Sequence, residues 1–287
     1  MRIAQLAGAL LALAVTVLPA AAATSAVPAK LLFGAVKAPS PPEGPHAIGF
    51  YARGCLAGAS TLPLDGPDWQ VMRLSRNRHY GTAQLVQFIE RFAAKVPRVS
   101  SWHGLLIGDM SQPRGGPMPT GHASHQIGLD VDIWLTAMPA VTLSYEQRET
   151  MAAKTVVAPD HVDLLPGRWS ADDIAVLKAA ASDPAVERIF VNAAIKKELC
   201  RVVPKPRPWL AKLRPWFGHD EHFHVRLACP PGERDCKGQP PSTSDGCDAS
   251  LNWWFTDAAL HPKPGKPGRP VTLADLPKLC RAVLEAK

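Results

Sequence analysis

The chain lacks the short patterns that identify several large classes of hydrolase. It has no His-Glu-x-x-His, no Ser-x-x-Lys, no Gly-x-Ser-x-Gly and no phosphate-binding loop. The first absence argues against a helix-borne zinc protease. The next two remove the usual penicillin-binding serine arrangement and the strand-to-helix serine elbow. No Cys-x-x-Cys occurs, so a thiolate zinc cluster has little support. The formal charge is +7, yet there is neither a nucleic-acid-binding motif nor a dense basic run, so nucleic acid is not an expected partner. Attraction to an anionic polymer is the functional reading of that charge, and plain solubility the other. No internal repeat is visible. After the first twenty-odd residues no stretch is long and apolar enough to span a bilayer.

Those first residues have the layout of a secretory signal peptide. Met1-Arg2 precedes an uncharged run from Ile3 to Leu18, and Pro19 with Ala20 to Ala23 supplies small-residue cleavage positions. A transmembrane anchor is the alternative, but the run is too short. Cleavage near Ala23 leaves residues 24–287 as an exported chain without a membrane anchor, long enough for one large domain or two small ones. Six cysteines (Cys55, Cys200, Cys229, Cys236, Cys247 and Cys280) then read as three disulfides. Their connectivity stays open, although Cys229 and Cys236 flank the turn-like PPGERD and are the easiest local pair.

Hydrophobic periodicity places the main elements. Thr82 opens a helix through TAQLVQFIERFAAKV, with Leu85, Val86, Ile89, Phe92, Ala93 and Val96 on one face and Pro97 as its stop. HGLLIGDMS (103–111), LDVDIWL (129–135), VERIFV (186–191) and HFHVRLAC (222–229) read as strands. A short helical run falls around Tyr145 to Lys154. Ser170 and Asp173 form a capping arrangement for DDIAVLKAAA, and NAAIKKELC reads as a further helix. The tail from Pro230 is rich in proline and glycine, so bridges should organise it, with a closing helix near Leu273 to Leu284.

The chemistry concentrates in two stretches. Gly108 to Trp134, GDMSQPRGGPMPTGHASHQIGLDVDIW, joins a Pro/Gly-rich loop bearing His122 and His125 to a strand bearing Asp130 and Asp132. HDEHFHVRL adds His219, His222 and His224, so five of the ten histidines lie in two short spans. Strand alternation puts His222, His224 and Arg226 on one face, with Phe223, Val225 and Leu227 on the other. Asp130 and Asp132 likewise share a face, opposite Leu129, Val131 and Ile133. Two such strands suggest a sheet with an open, polar side. Histidine and carboxylate ligands suit zinc, and a catalytic zinc keeps three protein ligands and one open position.

At these residues the chain resembles a known family. His125-x6-Asp132 with His222-x-His224 is similar to the signature shared by lysostaphin-type peptidases, zinc D-Ala-D-Ala carboxypeptidases and hedgehog domains. The long run from Gly108 to Trp134, the run RIFVNAAIKKELC and the run WFGHDEHFHVRLACP resemble more closely the penicillin-insensitive murein endopeptidases. The resemblance implies Zn2+ on His125, Asp132 and His224, with His122 a further metal contact. It implies His222 as general base and His219 as an auxiliary that steadies the water or the transition state. Asp130 is left a neighbour of unknown role. A peripheral second metal contact in the family falls on Asp160, His161 and Asp163, where the segment matches poorly.

The resemblance also implies the pairs Cys55–Cys280, Cys200–Cys247 and Cys229–Cys236. The implied fold is α+β: a central antiparallel sheet carries the zinc site, helices flank it, and disulfides tie the N- and C-terminal segments. The expected reaction is hydrolysis of cross-link peptides in peptidoglycan, between D-alanine and meso-diaminopimelate, without a serine for β-lactams to acylate. A zinc carboxypeptidase trimming terminal D-alanine and a non-catalytic wall-binding module are the alternatives. A homodimer is retained as a candidate assembly.

Overall fold

The strongest amphipathic segment forms the longest of the described helices. In a computed structural model, which describes residues 27–41, 46–265 and 268–287, helix α1 runs Ala83–Val99. The Thr82 hydroxyl caps it by accepting from Leu85 N. Its buried face is Leu85, Phe88, Ile89, Phe92, Ala93 and Val96. Phe88 thus occupies the place expected for Val86, which is only half-buried. Pro97 lies inside the last turn rather than ending the helix. The expected signal peptide, residues 1–23, lies outside the described residues.

Helix α1 packs behind a seven-stranded sheet. Its strands in chain order are β1 (Asp65–Gly66), β2 (Trp69–Val71), β3 (Leu105–Ile107), β4 (Asp130–Trp134), β5 (Val186–Val191), β6 (Leu213–Pro215) and β7 (His222–Leu227). In space the order is β6-β5-β7-β4-β3-β2-β1. The middle is antiparallel, from β5 through β7 and β4 to β3. The pairs β6/β5 and β3/β2 are parallel, so the sheet is mixed rather than wholly antiparallel. Two further helices, α2 (Ala171–Ala181) and α3 (Ala193–Val202), complete the main α/β layer. Ser170 and Asp173 form the expected capping box on α2.

The register of the middle pair organises everything else. His224 stands opposite Asp132, Arg226 opposite Asp130, and His222 opposite Trp134. Pleating sends Val131, Ile133, Phe223, Val225 and Leu227 to the back, where all are fully buried with Leu85, Ile89, Val176 and Leu177. The front face is not open as the alternation suggested: Asp130, Asp132, His224 and Arg226 are also buried. The Gly108–Gly128 loop folds over it.

All six cysteines are bridged, as Cys55–Cys280, Cys200–Cys247 and Cys229–Cys236, which leaves none for a thiolate metal cluster. The first bridge ties the strand Arg53–Ala57 to the C-terminal helix Leu279–Glu285. Pro277 separates that helix from a short turn at Leu273–Asp275, so the expected closing helix is split. The tail also carries a 3-10 segment, Ala249–Phe255, and a helical turn, Asp257–Leu260. No helix among the described residues is long and apolar enough to cross a membrane.

Candidate metal centre

The Gly108–Gly128 loop has almost no regular structure, so its backbone groups are satisfied by side chains and by isolated main-chain bonds. Gln112 Nε2 donates to the carbonyls of Gly115 (2.8 Å) and Pro117 (3.0 Å). Gly116 N donates to Gln126 O at 2.9 Å. Gly115 takes φ +60°, and a Cβ there would fall 2.1 Å from Gln126 O, so only glycine fits the close approach. The Arg114 guanidinium reaches the C-terminal helix and donates to Val283 O (2.9 Å) and Leu284 O (2.7 Å). The Ser111 hydroxyl donates to His125 O and accepts from Gly128 N at 3.1 Å. His125 itself has φ +64°, an uncommon conformation for a non-glycine residue, and its N–H donates to Asp130 Oδ2 at 3.0 Å.

These contacts deliver His122 and His125 onto the front of β4 and β7. The rings of His122 and His125 lie 4.3 Å apart, those of His125 and His224 4.5 Å, and those of His219 and His222 4.9 Å. Asp132 is the hub. Its Oδ1 is 3.4 Å from His125 Nε2, 3.4 Å from His224 Nδ1 and 3.7 Å from His222 Nε2. Its Oδ2 is 3.4 Å from His122 Nδ1. The five expected site histidines and Asp132 therefore gather in one place.

The donor set fits a divalent cation. Asp132 Oδ1 and both His125 ring nitrogens are buried without a hydrogen-bond partner among the described residues. Their 3.4 Å separations exceed ordinary N–H···O distances. A tetrahedral zinc shell with bonds of about 2.0–2.1 Å spaces its ligands by about 3.3–3.4 Å. His122, His125 and Asp132 also each offer one ligand atom within 4.8 Å of the other two. His224 Nε2 lies 2.8 Å from Asp130 Oδ1, and the carboxylate can only accept. Nε2 thus carries the proton, and the Nδ1 lone pair faces the lone pairs of Asp132. A cation between them removes that repulsion.

Charge balance follows the same geometry. Burial opposes ionising Asp132, but His125, His222 and His122 outweigh it and hold its pKa well below the carboxylate range. Burial likewise opposes a charge on His125, yet Asp132, Asp130 and Asp109 overcome it and hold that pKa up. Burial pulls His224 down to about 3 and, with the neighbouring His222, His219 down to about 4. His219 sits at φ +53° with Nδ1 2.7 Å from Phe217 O. A carbonyl accepts only, so Nδ1–H is the donor and Nε2 of neutral His219 is an acceptor.

Two carboxylates that sequence reasoning left without a role belong here, Asp130 and Asp109. Asp130 Oδ1 accepts from His224 Nε2 and from Arg226 Nε, both at 2.8 Å. Asp109 Oδ2 takes His122 Nε2 (2.9 Å), Arg78 (2.8 Å) and Arg76 (3.0 Å). Burial opposes its ionisation, but His122 and the two arginines hold its pKa at about 2. The three arginines within RLSRNR, just ahead of α1, were the available signal for this contact. By contrast, Asp160, His161 and Asp163 lie on an exposed turn. Asp163 pairs with Lys197 at 2.6 Å, Asp160 accepts from Val162 N, and the three form no metal-holding group among the described residues.

The site opens to solvent through a cleft of about 310 Å³ whose lining includes His222, Glu221, Trp134, Asp109, His122 and Arg76. Fold and cluster together define a class: an α+β protein whose central sheet presents a buried His/carboxylate centre below a polar cleft. A family profile described as penicillin-insensitive murein endopeptidase matches residues 47–285. Relatives carrying that name are 44% identical in Klebsiella pneumoniae subsp. pneumoniae, over 84% of this chain and 86% of the relative. A Salmonella paratyphi C relative is 44% identical over 85% and 88% of the two chains. One from Yersinia enterocolitica is 44% identical over 84% and 86%. The chain belongs to the penicillin-insensitive murein endopeptidase family. It is a hydrolase of the peptidase type, acting on peptidoglycan.

Proposed function

We propose that the chain is a zinc-dependent D,D-endopeptidase that hydrolyses D-alanyl–meso-diaminopimelyl cross-links. It acts in the periplasm after export on the 1–23 segment, as the single domain 24–287. His125, Asp132 and His224 would hold the zinc, with His122 as a further contact. The observation that carries this reading is the unpartnered Asp132 Oδ1 faced by His125 Nε2 and His224 Nδ1 at 3.4 Å each. When bound, zinc supplies an acidified water near neutral pH and a Lewis-acid pole for a carbonyl oxygen.

The protein's own residues then divide the remaining work. His222 lines the cleft, with Nε2 3.7 Å from Asp132 Oδ1, and is the group to take a proton and return it to the leaving amine. His219, neutral and presenting Nε2 as an acceptor, is suited to steadying water rather than donating to an oxyanion. Asp130 and Asp109 fix the ring orientations of His224 and His122. The nearly complete burial of Asp132 and His125 keeps bulk water off the donor atoms, where each charge interaction is strongest.

Digestion of cross-linked murein by the wild type and His222→Ala, with and without chelator, tests this. Mass spectrometry should show cross-linked dimers converted to monomers by the wild type, with no release of single alanines. Chelator should abolish that conversion and zinc restore it. Full activity in chelator would remove zinc from the mechanism.

A further inference from the structure

We propose that Arg76 is the anchor for a substrate carboxylate, making its wall of the cleft an anion subsite on the amine side of the scissile bond. This rests on the murein endopeptidase reading above. Arg76 ends a single 3-10 turn, Leu74–Arg76, bracketed by Arg73 (φ 57°, ψ 50°) and Asn77 (φ 53°, ψ 50°). Two non-glycine residues in left-handed conformation, one on each side of a single turn, are a built feature, because such strain persists only where surroundings over-determine it.

The surroundings do so here. The Arg73 guanidinium donates to the carbonyls of Arg148 (2.8 Å), Glu149 (2.6 Å) and Met151 (2.8 Å). Ser75 donates through its N and Oγ to the Glu149 carboxylate at 2.7 and 2.8 Å. Asn77 Oδ1 accepts from Tyr80 Oη at 3.0 Å. Clamped from both sides, the turn holds Arg76 at the cleft, whose lining it shares with Arg73.

That side chain keeps donors to spare. Arg76 is 47% exposed, and one of its terminal nitrogens lies 3.0 Å from Asp109 Oδ2, the oxygen that also takes His122 Nε2. A guanidinium has five N–H donors, and Asp109 is the only partner recorded for Arg76 among the described residues. The neighbouring arginines are more heavily engaged: Arg73, which also borders the cleft, makes three bonds to carbonyls, and Arg78, 8% exposed, makes three to Asp109 and Thr120. Of the cleft's carboxylates, Asp109 is shared by Arg76, Arg78 and His122, and Asp132 by the histidines. Glu221, 46% exposed, stands beside His222 in the cleft lining. Arg76 is therefore the arginine at the cleft with the most donors left free by its partners among the described residues.

The chemistry of the bond supplies the partner. A D-alanyl–meso-diaminopimelyl link attaches D-alanine to an amine whose carbon also bears a free carboxylate. The reacting amide always has a negative charge two bonds away on its amine side. Arginine matches a carboxylate in charge and can bind it bidentately, which fixes direction as well as position. A carboxylate seated on Arg76 sets which way the cross-link crosses the cleft. A mid-chain peptide lacks that charge and would not be held.

The test uses two purified cross-linked peptide dimers, one with this carboxylate free and one with it as the carboxamide. The zinc-loaded wild type should prefer the free acid in kcat/KM by about tenfold to hundredfold, the range of a charge-assisted hydrogen bond. Arg76→Gln should lose that preference, chiefly through KM on the free acid, and a smaller loss common to both dimers measures its contact with Asp109. Arg76→Lys should recover part of the preference, since it restores the charge without the fork. Equal losses on both dimers would make Arg76 merely a support for Asp109 and overturn the proposal, as would no change on either. A wild type that cleaves neither dimer would instead defeat the endopeptidase reading itself.

Discussion

Asp130 Oδ1 receives His224 Nε2 at 2.8 Å and Arg226 Nε at the same distance, while its Oδ2 holds the backbone N–H of His125. One fully buried carboxylate thus orients two proposed ligands, one through its ring and one through its main chain. Asp130→Asn keeps the shape but leaves the Arg226 charge buried without its counter-ion. Removing one partner of such a pair costs about 3–5 kcal/mol, and losing an outer carboxylate weakens metal binding by about tenfold to hundredfold. Urea unfolding of the metal-free protein and zinc competition against a fluorescent chelator measure the two effects separately. Unchanged zinc affinity would remove Asp130 from the centre.

Metal holding and proton transfer should separate by mutation. His222 borders the cleft, whereas Asp132 lies inside the cluster. His222→Ala is expected to keep stoichiometric zinc and to lose about 10²–10⁴ in kcat, the span of a general base. Asp132→Ala should lose the zinc itself, seen by metal analysis after gel filtration. If His222→Ala also loses zinc, then His222 is a ligand and the base must be sought elsewhere, with His219 the next candidate by position.

Much of the centre was legible because strand alternation is rigid. HFHVRL and DVDIW each announced a polar and an apolar face, and the observed ladder puts His224 opposite Asp132. What alternation could not show was the cover. The polar face is buried because the 108–128 loop closes over it, and that closure depends on Gln112, Arg114 and Ser111 bonding to main-chain groups. No periodicity encodes such contacts. The arginines of RLSRNR were a signal without a target for a related reason: Arg76 and Asp109 meet across 33 residues of sequence through one ion pair. The parallel edge pairs of the sheet were also beyond pattern reading, since a short apolar strand such as Trp69–Val71 looks the same in either orientation.

The metal-free protein should weaken in acid. An unfolded histidine takes a proton near pH 6.5, whereas His219 and His224 in the fold resist until about 4 and 3. Between pH 6.5 and those values the unfolded chain binds more protons, so the stability these residues contribute is present above 6.5 and is lost as pH falls. His125 acts in the opposite sense, because its folded pKa is held up and its contribution fades as pH rises. The contribution of one residue is therefore read by difference. His219→Gln should flatten the dependence of unfolding free energy on pH between about 6.5 and 4, by up to about 1.4 kcal/mol per pH unit. Parallel curves for the two proteins would contradict the assigned neutral state of His219.

The three disulfides should rank by the length of chain they close. Cys55–Cys280 spans 225 residues, Cys200–Cys247 spans 47 and Cys229–Cys236 spans 7. If each acts mainly on the unfolded chain, the longest should exceed the shortest by about 3 kcal/mol, because the entropy grows as 1.5R ln n. Cys55–Cys280 has a second consequence. It fixes the helix whose Val283 and Leu284 carbonyls hold Arg114, and Arg114 belongs to the loop that brings His122 and His125 to the sheet. Paired serine variants should therefore lose urea midpoint in the order of loop length. Arg114→Ala added to the Cys55→Ser/Cys280→Ser pair should cost less than it does alone, since the helix it braces is already released. Strict additivity would mean that loop and helix are independent, and that His125 is placed by Asp130 and Ser111 without help from the C-terminus.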